Sequence, residues 1–302
     1  MSISLYKLKK WCQMVLGKSI QHVNQDMGKN FVVGELNGYF NNLTEKVSKD
    51  PESLKAQKLP TAKSEDGKVV VFPITIFQYG LGAYDLFLQT DKKIYLSQFY
   101  LSANWALNNQ KANGAWDNFS FVYPDNPYSA MCQGEGASLL LRAWKQSGLP
   151  EYFNAAKKSI DFMLLPSTEG GTSLYTQKGL TLLEYTHLPV VLNGWVFAAF
   201  GLYDMALASG DDVYVDAWNS TIVALTGSLH EFDNGYWSMY DYDKKIASPF
   251  YHNLHIAQLE ALYAVTGASA FMDLRDKFVK YRACFWNRSK AFIIKAIQKL
   301  KE

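Results

Sequence analysis

From Pro73 onward, apolar side chains recur three or four residues apart, and this spacing predicts a succession of amphipathic helices. Ile76, Phe77, Gly80, Leu81, Tyr84 and Leu88 share one face. Ile94, Phe99, Leu101 and Trp105 continue the pattern, with Asp91 as the expected cap of their helix. Ser129 is placed to cap a helix that carries Leu139, Leu140 and Trp144. The stretch from Leu192 to Leu207 is apolar nearly all round, the mark of a helix buried on every side. It stops at Gly210-Asp211-Asp212. Val215, Trp218, Ile222 and Leu229 then line one helix, and Leu254, Ala257, Ala261, Leu262 and Val265 another. Residues 30–73 break the pattern: Gly34, Gly38, Pro51, Pro60 and Gly67 punctuate them, and Val69-Val70-Val71-Phe72 reads as a strand.

Gly-aromatic and Gly-rich insertions separate the helices. Asn113-Gly114-Ala115-Trp116, Glu169-Gly170-Gly171 and Asn234-Gly235-Tyr236-Trp237 recur roughly 60 residues apart, a period that suits two helices plus their loops. Asn234-Gly235 between alternating residues is a hairpin signal. The expected fold is therefore mainly α, an incomplete α/α barrel (toroid) of helix hairpins. It carries a small β-rich N-terminal region and a short rim β-ribbon. The expected division is 1–72 for the N-terminal helix and β-rich region, and 73–302 for the toroid with a basic C-terminal helix.

Composition narrows the class. With 302 residues, 48% hydrophobic and 19% charged, the chain is too apolar to be disordered. No apolar run reaches the ~18 residues of a membrane span. Lys7, Lys9, Lys10 and Trp11 interrupt any secretory-signal pattern. Cys12, Cys132 and Cys284 form no C-x-x-C pair, which reads as reduced thiols and a cytoplasmic location. The net charge of +2 hides an acidic body between two basic ends, which argues against a nucleic-acid binder. Those ends also carry apolar residues: Leu5, Leu8 and Trp11 in front, and Phe285, Phe292, Ile293, Ile297 and Leu300 behind. Basic amphipathic ends of this kind either pack as ordinary solvated helices or settle peripherally on an anionic membrane.

Candidate chemistry is sparse. The chain has no phosphate loop, dinucleotide fingerprint or G-x-S-x-G. His252 and His255 are close enough to share a ligand, but no third metal ligand accompanies them, so no metal site is expected. Glu135 lies between Gly134 and Gly136, which signals either a close backbone approach or a simple helix-entry carboxylate. Glu184-Tyr185, Tyr240 and Tyr251-His252 sit at predicted element ends.

Several colinear blocks supply the rest. Residues 72–81 (FPITIFQYGL), 129–138 (SAMCQGEGAS), Glu184-Tyr185, 192–195 (LNGW), 201–204 (GLYD), 238–241 (SMYD) and 251–256 (YHNLHI) resemble the C-terminal helical domain of heparosan-type D-glucuronyl C5-epimerases. The likeness runs from about residue 70 to 265. It implies inversion of a uronic acid at C5 within a polysaccharide, D-glucuronate to L-iduronate, with no redox cofactor. By the same resemblance Glu184, Tyr185, Tyr240 and Tyr251 are the catalytic candidates, and Asn193 lies beside the substrate. His252, Gln133, Glu135 and Trp237 are further substrate-binding candidates, and a homodimer is implied. Family members often carry a basic residue three positions after the ribbon tyrosine, where this chain has Asp243; that favours a less sulfated bacterial polymer. The competing readings are a toroid polysaccharide lyase, a two-carboxylate glycoside hydrolase and a non-catalytic glycan binder.

Overall fold

The computed structural model describes residues 22–63 and 68–301. The expected N-terminal basic segment and Cys12 lie outside the described residues. The elements, in order, are α1 (Thr44–Ser48), α2 (Pro51–Ala56), β1 (Ala62–Lys63), β2 (Val69–Val70), α3 (Pro73–Thr90), α4 (Lys93–Asn109), α5 (Ala130–Ser147) and α6 (Pro150–Leu164). They continue with β3 (Ser173–Thr176), β4 (Gly179–Leu182), α7 (Leu192–Ser209), α8 (Asp212–Ser228), α9 (Pro249–Thr266), α10 (Ser269–Ala283) and α11 (Phe285–Lys301).

Four antiparallel hairpins, α3–α4, α5–α6, α7–α8 and α9–α10, build an incomplete α/α toroid. The inner helices α3, α5, α7 and α9 pack side by side in that order. The sequence explains which helices go inside. α7 is buried along nearly its whole length, as its all-round apolar pattern requires, and α5 tolerates a long buried run because Gly134 brings it against α7. A Cβ on Gly134 would lie 2.7 Å from Ala198 Cα, so only glycine allows this crossing. Gly136 has a different neighbour: a Cβ there would meet the Trp116 and Phe77 rings. Both flanks of Glu135 thus reflect close approach.

The sheets are minor. β1 pairs antiparallel with β2, and β3 with β4 in the register Ser173↔Leu182. The Asn234-Gly235 turn forms as expected: Gly235 has φ 85°, and Asn234 Oδ1 accepts from the Tyr236 and Trp237 amides. The ribbon it opens is held by single bridges, Asp233↔Ser238 and Met239↔Ile246. Ser129 caps α5 by accepting from the Cys132 amide. Asp91 behaves differently from expectation. It terminates α3 in the left-handed conformation (φ 54°) and leaves Lys92 to begin α4 without a side-chain cap.

The N-terminal segment is tied to one end of the barrel. Asp85, Arg142 and Asp204 stand at the same level near the C-terminal ends of α3, α5 and α7. Arg142 Nη1 pairs with Asp204 Oδ2 at 2.6 Å, and its other nitrogens donate to the carbonyls of Asn37 (2.8 Å) and Gly38 (3.0 Å). The Tyr39 amide donates to Asp85 Oδ1. Tyr39, Phe40, Leu43 and Val47 join the same hydrophobic core as the inner helices, with the Phe40 and Phe200 rings stacked at 3.7 Å. The opposite end, where all four inner helices begin, stays open. Among the described residues no helix is long and apolar enough to cross a membrane.

Candidate active site

A cavity of about 230 Å³ lies at that open end. Each inner helix contributes from its N-terminal turns: Thr75 and Gln78 from α3, Met131 from α5, Asn193 and Phe197 from α7, Tyr251 and Leu254 from α9. Four positive dipole ends therefore point at one space, a setting that favours an anionic ligand.

Glu184 and Tyr185 follow β4 after one residue, Leu183. The backbone there is pinned at Leu183, whose amide donates to Thr172 and whose carbonyl accepts from Ala130 at the start of α5. Glu184 is only 6% exposed, and its carboxylate lies against the first turn of α7. A Cβ on Gly194 would collide with Glu184 Oε2, which is why the residue after Asn193 must be glycine. Burial raises the Glu184 pKa to about 7, and the adjoining Tyr185 hydroxyl offsets part of that rise. Glu184 Oε2 and Asn193 Oδ1 have no hydrogen-bond partner within the protein. Two buried acceptors facing a cavity are the groups a substrate would satisfy.

Tyr240 arrives through backbone pairing. Its carbonyl accepts from the Leu192 amide at 3.2 Å, and Tyr242 N donates to Val190, so the ribbon runs antiparallel to the chain entering α7. Tyr251 sits in the first turn of α9, where Ser248 Oγ accepts from its amide. The Tyr240 and Tyr251 rings are 4.9 Å apart. Tyr185 stacks on Phe119 at 4.6 Å. All three tyrosines have pKa values pushed up, first by burial and then by the nearby Glu184 charge, so they hold their protons at neutral pH. A hydroxyl from Tyr240 partly counters the shift on Tyr251.

Five sequence candidates thus converge on the cavity: Glu184, Tyr185, Asn193, Tyr240 and Tyr251. The other four do not line it. Gln133 is consumed by structure, since its side chain exchanges hydrogen bonds with the Trp116 backbone. Trp237 donates to Ala247 and stacks on His252 at 3.7 Å. His252 Nδ1 accepts from the Ser238 amide, and Nε2 lies 3.0 Å from the Phe278 carbonyl, which fixes the proton on Nε2. The Ser238 hydroxyl lies 2.8 Å from His252 Nδ1 and 3.0 Å from His255 Nδ1. Burial lowers both histidines to about 3, so they are neutral braces of the ribbon. No group of three metal-ligating side chains occurs among the described residues. Glu135 stands one layer behind the wall, where its Oε1 accepts from Gln78 Nε2 at 2.8 Å.

Sequence reasoning missed the opposite wall. Lys46 of α1, with Asp50, Pro60 and Thr61, lines the cavity from the N-terminal segment. His22 packs edge-on against Phe250 and Tyr251. Lys46 is buried and interacts with Glu135, and burial lowers its pKa to about 8. Only the apolar spacing of Leu43 and Val47 around Lys46 hinted that this lysine faces inward.

The family described as D-glucuronyl C5-epimerase C-terminus matches residues 87–280, well over half of the chain. The chain belongs to this family. A D-glucuronyl C5-epimerase of Caenorhabditis elegans is 24% identical over 212 residues, covering 61% of this chain and 34% of the worm protein. An uncharacterised protein of Methanocaldococcus jannaschii is 26% identical over 155 residues, 49% of this chain and 50% of its own. The chain thus spans half or less of the length of these curated relatives. Among solved structures, unsaturated glucuronyl hydrolase from Bacillus sp. GL1, described as responsible for the degradation of glycosaminoglycan, aligns with a TM-score of 0.52 at 14% identity. The alignment covers 79% of this chain and 66% of that one. It places the epimerase-family chain among α/α-toroid folds and bears on the fold alone.

Proposed function

We propose that the chain inverts uronic acid residues at C5 within a polysaccharide, taking D-glucuronate to L-iduronate. The observation that carries this reading is the buried Glu184 carboxylate, with one oxygen unpartnered, sharing a cavity with three protonated tyrosines and the family's residue pattern. Glu184 takes the C5 proton. The C5–H electron pair moves into the adjoining uronate carboxylate, which becomes enediolate-like and gains negative charge. Asn193, Lys46 and the converging helix ends face that charge. Tyr251 returns a proton to C5 from the other face of the ring, leaving its phenolate hydrogen-bonded by Tyr240, while Glu184 carries the abstracted proton. Solvent exchange resets both groups.

The electrostatics favour this order. The Glu184 charge is one of the causes that raise the Tyr251 pKa. Proton abstraction neutralises Glu184, so Tyr251 becomes more acidic at the step in which it donates. Tyr185 hydrogen-bonds Glu184 and tunes it; in the reverse direction the Tyr251 phenolate takes the iduronate C5 proton and protonated Glu184 returns one.

Incubation with unsulfated heparosan-type polymer in deuterated water, read by NMR, tests the proposal. Deuterium at C5 with new iduronate signals is the expected result. An unsaturated product absorbing in the ultraviolet would replace epimerisation with elimination. Glycan binding with no C5 exchange across several uronate polymers would replace it with a binding role.

A further inference from the structure

The inward face of α11 is fully accounted for. Ala291 and Lys295 are buried, Gln298 Oε1 accepts from the Ile246 amide, and Lys290 and Lys295 lie over the Tyr236 and Tyr240 rings. The helix therefore braces the ribbon that carries Tyr240. Its outward face is another matter. Trp286 is 78% exposed, Phe285 62%, Ile293 57% and Ile297 46%. At 3.6 residues per turn these four fall on one stripe. Arg288 borders it along one edge and Lys290, whose ammonium lies over the Tyr236 ring, along the other, both exposed. An ordinary solvated helix would place its charges in the middle of the outward face, whereas here they form the rims and apolar side chains hold the centre.

We propose that this face of α11 docks on an anionic lipid surface. A central apolar stripe with cationic rims matches an interfacial helix, whose aliphatic and Trp side chains enter the acyl boundary while its Lys and Arg stems reach phosphate. Charge argues against two other occupants. A second copy docking face to face through α11 would oppose like-charged rims. Residues 1–21, which carry Lys7, Lys9, Lys10 and Lys18 and no acidic residue, have the same sign. Aliphatic Ile293 and Ile297 also suit acyl chains better than a sugar polymer. Because the inner face holds the Tyr240 ribbon, docking would set the cavity's ribbon wall beside the membrane.

Co-sedimentation of the full chain with phosphatidylcholine vesicles containing phosphatidylglycerol, and with phosphatidylcholine alone, decides the matter. Binding is expected to the anionic vesicles and to fall with salt. Arg288→Gln with Lys290→Gln should weaken it by about fivefold per cation, and Trp286→Ser with Ile293→Ser and Ile297→Ser should abolish it. Circular dichroism melts of each variant, expected to match the wild type, check that the fold is kept. Three results would overturn the proposal: no binding by the folded wild type, undiminished binding by the folded triple variant, or a wild-type dimer that the triple variant turns into a monomer.

Discussion

Glu184 shows how one residue's surroundings set its chemistry. A free glutamate is charged at neutral pH and a weak base; burial against Gly194 lifts this one to about 7. C5 exchange should therefore fall as pH drops below about 7, and Glu184→Gln should lower it by about 10²–10⁴-fold without loss of fold, as judged by deuterium incorporation and circular dichroism. The same shift has a stability consequence. Glu184 and Asp85, both raised to about 7, and Glu135, also raised, bind protons more tightly when folded. Their contribution is full below the ordinary carboxylate range and is lost as pH rises through their folded values. His252 and His255 act in the opposite sense, but below their ordinary 6.5. Urea midpoints should accordingly decline between about pH 6.5 and 8, and less steeply in Glu184→Gln.

At the scale of elements, the α5–α7 crossing rests on two glycines whose backbones touch. A Cβ on Gly201 would collide with the Gly134 backbone, which cannot rotate away. Gly201→Ala should destabilise by about 1–3 kcal/mol or more in chemical denaturation. Gly227 in α8 is the contrast, since a Cβ there meets nothing within 4 Å and its φ is ordinary. Gly227→Ala should stabilise by roughly 0.5–1 kcal/mol, because the helical glycine only adds unfolded-state entropy. Opposite signs for the same chemical change would separate packing from propensity. The two glycines look alike in the sequence, because periodicity marks a helix but not which neighbour crosses it.

For the molecule as a whole, Arg142 joins α5, α7 and the N-terminal segment at the closed end of the barrel. Arg142→Met would leave Asp204 and two carbonyls buried without their partner. A loss of about 3–5 kcal/mol is expected, with amide exchange near Gly34–Phe40 rising before global unfolding. Helix positions, the buried character of α7, the Asn234-Gly235 turn and the toroid were legible in the sequence, since each follows from local spacing or a period of hairpins. That Glu184, Tyr185, Asn193, Tyr240 and Tyr251 share one cavity was legible through the family's pattern, because residue blocks in the same order along the chain can be matched one by one. The separation of Gln133, Glu135, His252 and Trp237 from the cavity was not legible. A motif gives proximity in sequence, while the direction of a side chain depends on which backbone group meets it across the fold. Lys46 was equally hidden. It reaches the cavity only because the N-terminal segment joins the core of the inner helices, and long-range packing of that kind leaves no periodic trace in the chain.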